Sequence, residues 1–107
     1  MTGSFGELGS LLKQAQEMQR ALDKVRAEMK TRTVEGSAGG GAVRVWVSGD
    51  RQVSKLEISD EFAKRASKAE LEEMVLLALR DGITKATRMA EEATAKVTGG
   101  VNLPGLF

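Results

Sequence analysis

Val34-Glu35-Gly36-Ser37-Ala38-Gly39-Gly40-Gly41-Ala42-Val43-Arg44-Val45-Trp46-Val47 is the stretch that decides how this chain folds. Gly36, Gly39, Gly40 and Gly41 supply the positive φ angles of a loose hairpin connection. Val43, Val45 and Val47 then recur at period two, as in a half-buried strand. Arg44 and Trp46 fall on the opposite face of that strand, where a lone aromatic reads as packing. Further on, Ser48-Gly49-Asp50-Arg51-Gln52 has turn chemistry, and Val53 to Ile58 resumes as a strand with Leu56 and Ile58 on one face. With Thr31 to Glu35 as the first, three short antiparallel strands are expected over residues 31–58.

Long helices flank the sheet on both sides. Leu8, Leu11, Ala15, Met18, Leu22, Val25 and Met29 step by three and four without a break, which predicts a helix over about residues 7–30. It ends where Thr31, Thr33 and Val34 bring β-branched side chains. Such a helix is about 35 Å long, whereas strands of six residues cover only about 20 Å. The seam of Leu11, Met18, Leu22, Val25 and Met29 therefore overhangs its own sheet, and a partner subunit is the simplest cover for Leu11, Met18, Leu22 and Val25.

After the third strand, Asp60 to Ala66 reads as a short helix. Ser67-Lys68-Ala69-Glu70 is a capping box that opens a second long helix, giving helices over about residues 60–98. Along it, Leu76, Leu79, Ile83, Ala86, Ala90, Ala93 and Val97 form a second narrow seam. Gly82 interrupts the helix at a cost of about 1 kcal/mol relative to alanine, which reads either as a place where another backbone comes near or as a tolerated defect. Gly99-Gly100 caps the helix in the left-handed conformation, and the apolar tail of residues 99–107 cannot stay helical through Pro104 and is expected to dock on the body. The whole of residues 1–107 reads as one α+β domain.

Composition closes off most chemistry. The chain of 107 residues has no His, Cys or Tyr, so it lacks the usual neutral-pH proton shuttle, the thiol nucleophile and the imidazole and thiolate ligands of zinc or copper. No enzymatic activity, metal, cofactor or small-molecule substrate is expected. There is no signal-peptide pattern and no apolar run of bilayer-spanning length, so a cytoplasmic location without membrane association is expected. The net charge of +1 decides nothing by itself, because binding depends on where the 16 basic side chains sit relative to the 15 acidic ones.

Lys13, Arg20 and Lys24 lie on the side of the first helix away from its seam, and Arg26, Lys30 and Arg32 continue toward the hairpin. They read either as a stripe that contacts phosphates or as a solvated face laced with ion pairs, since Glu17 and Glu28 sit at helical spacing from them. On the second long helix the acids gather at the start, and Lys85 and Arg88 are the better candidates among the later cations. The glycine run feeds a strand rather than a helix N-terminus, so it is not a phosphate cradle. One Trp and three Phe are too few for a single-strand stacking platform.

Four stretches together resemble the YbaB/EbfC family of bacterial nucleoid-associated proteins: Leu11-Leu12-Lys13-Gln14-Ala15-Gln16-Glu17-Met18-Gln19, Val34-x-Gly36-x-x-Gly39-x-Gly41 running into Val43-Arg44-Val45, Val53-x-x-Leu56-Glu57-Ile58, and Leu103-Pro104-Gly105. Two turn positions depart from the family pattern: the asparagine often seen before Gly49 is missing, and Ser59-Asp60 stands in place of the frequent Asp-Pro. The resemblance implies a tweezer-like homodimer, with helical arms projecting from a sheet-containing core, that binds double-stranded DNA in the nucleoid with little sequence preference. Under it, Lys13, Arg20, Lys24, Arg26, Lys30, Arg32, Lys85 and Arg88 are the expected DNA contacts. The rival reading is a protein-interaction module whose arms grip another polypeptide.

Overall fold

A computed structural model describes the backbone of residues 2–99 and the side chains of residues 6–99. The chain runs α1 (Thr2–Thr31), β1 (Thr33–Ala38), β2 (Val43–Ser48), β3 (Val53–Ile58), α2 (Asp60–Arg65) and α3 (Lys68–Thr98). The strands form one antiparallel sheet in the order β1-β2-β3. The expected α+β fold is the one observed. The sequence-based tail expectation lies outside the described residues apart from Gly99, which adopts the left-handed cap at φ 65°.

Val43, Val45 and Val47 are completely buried, and α3 lies across the face of the sheet they occupy. In register with them on that face are Ala38, Gly36 and Val34 of β1, and Ile58 and Leu56 of β3. Phe62 of α2 completes this core cluster. Ser59 caps α2 by accepting from the Phe62 N–H at 3.2 Å, so the position where Asp-Pro is frequent still starts a helix. The Ser67 capping box is present in full. The Ser67 hydroxyl accepts from the Glu70 N–H at 3.2 Å, and the Glu70 carboxylate accepts from the Ser67 N–H at 3.3 Å.

Gly82 takes the first of its two readings, the close approach. A Cβ on Gly36 would meet the backbone of Gly82 and come within 2.7 Å of the Ala78 carbonyl oxygen. One on Gly82 would strike Val47 at 2.7 Å and Val45 at 2.8 Å. The pair lets β1 and β2 settle directly onto α3. This corrects the reading of Gly36 as part of the turn. Only Gly39, Gly40 and Gly41 have positive φ, while Gly36 lies inside β1, which runs to Ala38 and not to Glu35. The second hairpin holds a local exception: Arg51 has φ 64°, filling a left-handed turn position where glycine or asparagine is usual.

The seam of α1 divides in two. Val25 and Met29 form a second core cluster with Ala90 of α3, flanked by Met89, Ala93 and Val97, and Leu22 is buried as well. The cover over Leu22 and Val25 thus comes from the same chain, correcting the expectation that a partner subunit supplies it. The reason is length: α3 runs on past the sheet and lies alongside the last third of α1. Leu8, Leu11, Leu12 and Met18 remain exposed. The helix itself reaches back to Thr2, past the expected start near residue 7, because a glycine such as Gly3 or Gly6 weakens a helix by only about 1 kcal/mol.

Candidate nucleic-acid interface

The free part of α1 projects as an arm. A helix of 31 residues such as α3 is about 46 Å long, yet the long axis of the molecule is 77 Å. α1 approaches the sheet and α3 leaves it, so the two pack antiparallel, and the overhang is the N-terminal part of α1. Every described side chain from Gly6 to Arg20 is exposed.

At about 100° per residue, Lys13, Arg20 and Lys24 fall in one row opposite the buried seam, whereas Arg26 and Lys30 lie to one side of it. Among the described residues, neither Glu17 nor Glu28 forms an ion pair within 4.0 Å with any of these cations. The one such pair on α1 joins Arg26 to Asp23 at 3.4 Å. Lys13, Arg20, Lys24, Lys30 and Arg32 are exposed and carry no ion pair among the described residues. The laced-face reading of the arm therefore lacks the pairs it requires.

Arg44 and Lys55 of the sheet are already engaged. On the outer sheet face, Arg44 reaches Glu35 at 3.5 Å and Glu57 at 3.6 Å, and Lys55 reaches Glu57 at 3.2 Å. Both cations cover the Trp46 ring, Arg44 at 5.4 Å and Lys55 at 4.9 Å from its centroid. This half-buried Trp is a packing residue held under two charges. Lys85 is likewise committed: it pairs with Asp81 at 3.0 Å and donates to the Glu35 carbonyl at 3.4 Å. The Ser37 N–H donates to Asp81 at 2.9 Å, and this bond, with Lys85 beside it, holds the Asp81 carboxyl below its ordinary value. Arg88 is exposed on the same helix without a salt bridge among the described residues.

Sequence reasoning missed a second surface. β3 is an edge strand, with Val53 and Leu56 exposed. On α3, Leu71, Val75, Leu76 and Leu79 with Glu72 line an apolar groove, and Leu76 and Ile83 are exposed on that helix. The signal was available: the α3 seam has large residues as far as Ile83 and mostly small ones from Ala86 on, and it is this second half that meets α1. Among the described residues no group of three or more acidic side chains is placed to hold a metal ion, and no helix is long and apolar enough to cross a membrane.

The overhanging arm, the exposed cationic row and the small antiparallel sheet describe an α+β protein with a projecting cationic helix. Residues 5–101 match the profile of the YbaB/EbfC DNA-binding family, and the chain belongs to that family. It is 39% identical over 106 residues to a nucleoid-associated protein of Acetivibrio thermocellus, covering 98% of this chain and 94% of that one. To a nucleoid-associated protein of Chloroflexus aurantiacus it is 41% identical over 97 residues, covering 91% and 95%. The fold is shared with the crystal structure of the uncharacterized protein HP0035 from Helicobacter pylori, with a TM-score of 0.69 at 23% identity over 89% of this chain and 97% of that one.

Proposed function

We propose that this protein binds double-stranded DNA as a homodimer, through the phosphates and with little regard to base sequence, and so acts in the nucleoid within the cytoplasm. The observation that carries this reading is the row of Lys13, Arg20 and Lys24, which stands on a projecting helix free of carboxylate partners while the sheet's cations are neutralised in place. Flexible cations on an exposed helix suit a backbone of phosphates, which positions a protein without specifying sequence. Arg26, Lys30, Arg32 and Arg88 extend the surface toward the sheet, whereas Lys85 contributes mainly by holding β1. The dimer forms on the bare β3 edge and the adjoining Leu76 and Ile83 face of α3, where an apolar area of that kind gains most from a second copy.

With three phosphates neutralised by each of two arms, the logarithm of affinity falls with the logarithm of salt concentration at a slope of about −5. Replacing Arg20→Gln and Lys24→Gln is expected to weaken binding to all duplexes alike and to flatten the slope to about −2. Gel-shift titrations on random duplexes at several salt concentrations measure both. A doubly substituted protein that keeps its fold and its full affinity removes the arm from the interface.

The exposed Leu8, Leu11, Leu12 and Met18 favour a second reading, in which the arms grip a polypeptide. Wild-type protein that binds no duplex even at low salt supports it over the first.

A further inference from the structure

The two flanks of the cationic row on α1 differ in charge. At about 100° per residue, Glu17 and Glu28 fall on one flank of Lys13, Arg20 and Lys24, both exposed and without an ion pair among the described residues. Arg26 and Lys30 fall on the other flank. The one acid there, Asp23, is already taken up: it accepts from the Gln19 amide at 3.0 Å and pairs with Arg26 at 3.4 Å. The five cations therefore span an arc of about 160°, and no free carboxylate among the described residues of α1 projects from it.

Gln16 stands near the middle of that arc, and its neighbours three and four residues away are Leu12, Lys13, Gln19 and Arg20. Its amide is exposed and makes no hydrogen bond among the described residues, whereas that of Gln19 is spent on Asp23. Leu12 is 61% exposed and lies about 100° around the helix from the buried Leu22, Val25 and Met29, so it is not part of that seam. The arm thus carries an unspent amide and an apolar group between two sets of cations. A helix about 10–12 Å across fits the major groove of duplex DNA, about 12 Å wide, and not the minor groove, about 6 Å wide. Cations at both shoulders match the phosphate walls of a groove, and an uncharged centre faces its floor, where the base edges lie.

Resting on the reading of the arm as the DNA-contacting surface, we propose that α1 lies in the major groove with Gln16 facing the base edges. Lys13, Arg20 and Lys24 reach the phosphates of one wall, and Arg26 and Lys30 reach those of the other. The Gln16 amide donates to N7 of an adenine and accepts from its N6 amino group, and Leu12 packs against a thymine methyl. One such amide on each arm gives a modest preference for adenine and no recognition sequence, so binding stays broad.

The test compares two duplexes of one sequence, built with adenine or with 7-deazaadenine, which keeps its base pairing and lacks the N7 acceptor. In competitive gel shifts the wild-type protein is expected to bind the adenine duplex about fivefold more tightly. Gln16→Ala changes an exposed helix position, so helicity by circular dichroism is expected to survive. This variant is expected to bind both duplexes alike and to keep the wild-type salt slope. Equal wild-type affinities, or a discrimination that persists in Gln16→Ala, overturn the proposal. The facing of the arm is tested at constant net charge. Gln16→Glu turns a carboxylate toward the groove, and Gln14→Glu places one on the side of Glu17 and Glu28. The first is expected to weaken binding by at least about tenfold more than the second, and equal losses overturn the proposal as well. A wild type that binds neither duplex at low salt fails the proposed function itself, whereas duplex binding with a steep salt slope and no adenine effect fails this inference alone.

Discussion

The two edges of the sheet are finished in opposite ways. At β1, α3 sits so close that Gly36 and Gly82 face each other without side chains, while Asp81 and Lys85 take up the Ser37 N–H and the Glu35 carbonyl. At β3 no described residue does this: Val53 and Leu56 are exposed. A helix about 10 Å across covers two strands spaced about 4.8 Å apart, so one that hugs β1 and β2 cannot also shelter β3. Closing one edge tightly is what leaves the other open, and an open apolar edge on a stable protein is a surface awaiting a partner.

The closed edge is the more sensitive to substitution. Gly82→Val would drive two methyl groups into Val45, Val47 and the β1 backbone, none of which can retreat without opening the core. The expected cost is about 3 kcal/mol or more, enough to lower the midpoint of thermal unfolding by more than about 12 °C. Gly40→Ala serves as the control: it has φ 66° but no atom within 4 Å of the added Cβ, so it meets backbone strain without a clash. Its expected cost is about 1 kcal/mol. Equal losses by calorimetry would show that the close approach of α3 to β1 is not what fixes the edge.

The open edge responds in assembly more than in folding. Leu56→Asp combined with Leu76→Asp changes surface positions, so helicity by circular dichroism is expected to survive. In a two-fold interface each substitution counts on both subunits, and losing the burial of leucines there costs about 3 kcal/mol or more, over a hundredfold in the dimer dissociation constant. Sedimentation equilibrium is expected to show a dimer for the wild type at micromolar concentration and a monomer for the variant. A wild-type monomer would mean that the bare edge has another occupant.

This contrast explains what could be read in the residues and what could not. The elements were legible because each is written locally: valines at period two for β2, a capping box at Ser67, a break at Gly99. So was the role of Gly82, since a lone glycine within a strong helix needs a reason. Its partner was not. Gly36 stands three residues before a cluster of true turn glycines and looks like one of them. Arg51 was equally hidden, as nothing in its neighbours announces a positive φ. For the candidate interface, the spacing placed Lys13, Arg20 and Lys24 on one face, but whether Glu17 and Glu28 neutralise them depends on side-chain geometry that spacing alone does not fix. A heptad seam likewise says that a helix pairs without saying with what. Leu22 and Leu11 carry the same signal, and only the reach of α3 separates them.

The gentlest probe of the closed edge is its carboxylate. Asp81 accepts from the Ser37 N–H and pairs with Lys85, and both interactions favour its charged form, so its pKa in the folded protein lies below the ordinary value of 3.8. A group with a depressed folded pKa binds its proton more readily when unfolded. Its contribution is therefore complete above the ordinary value and is lost as pH falls through the folded one. Because the side chain is partly in water, Asp81→Asn is expected to lower the midpoint at pH 7 by about 3 °C or less. The gap between variant and wild type should then shrink as pH drops below about 4 and vanish once Asp81 is protonated in both states. Thermal melts at several pH values, at constant ionic strength, measure this. A gap that stays constant into acid would assign the effect to the shape of the side chain, and the charge would then have no part in holding β1 against α3.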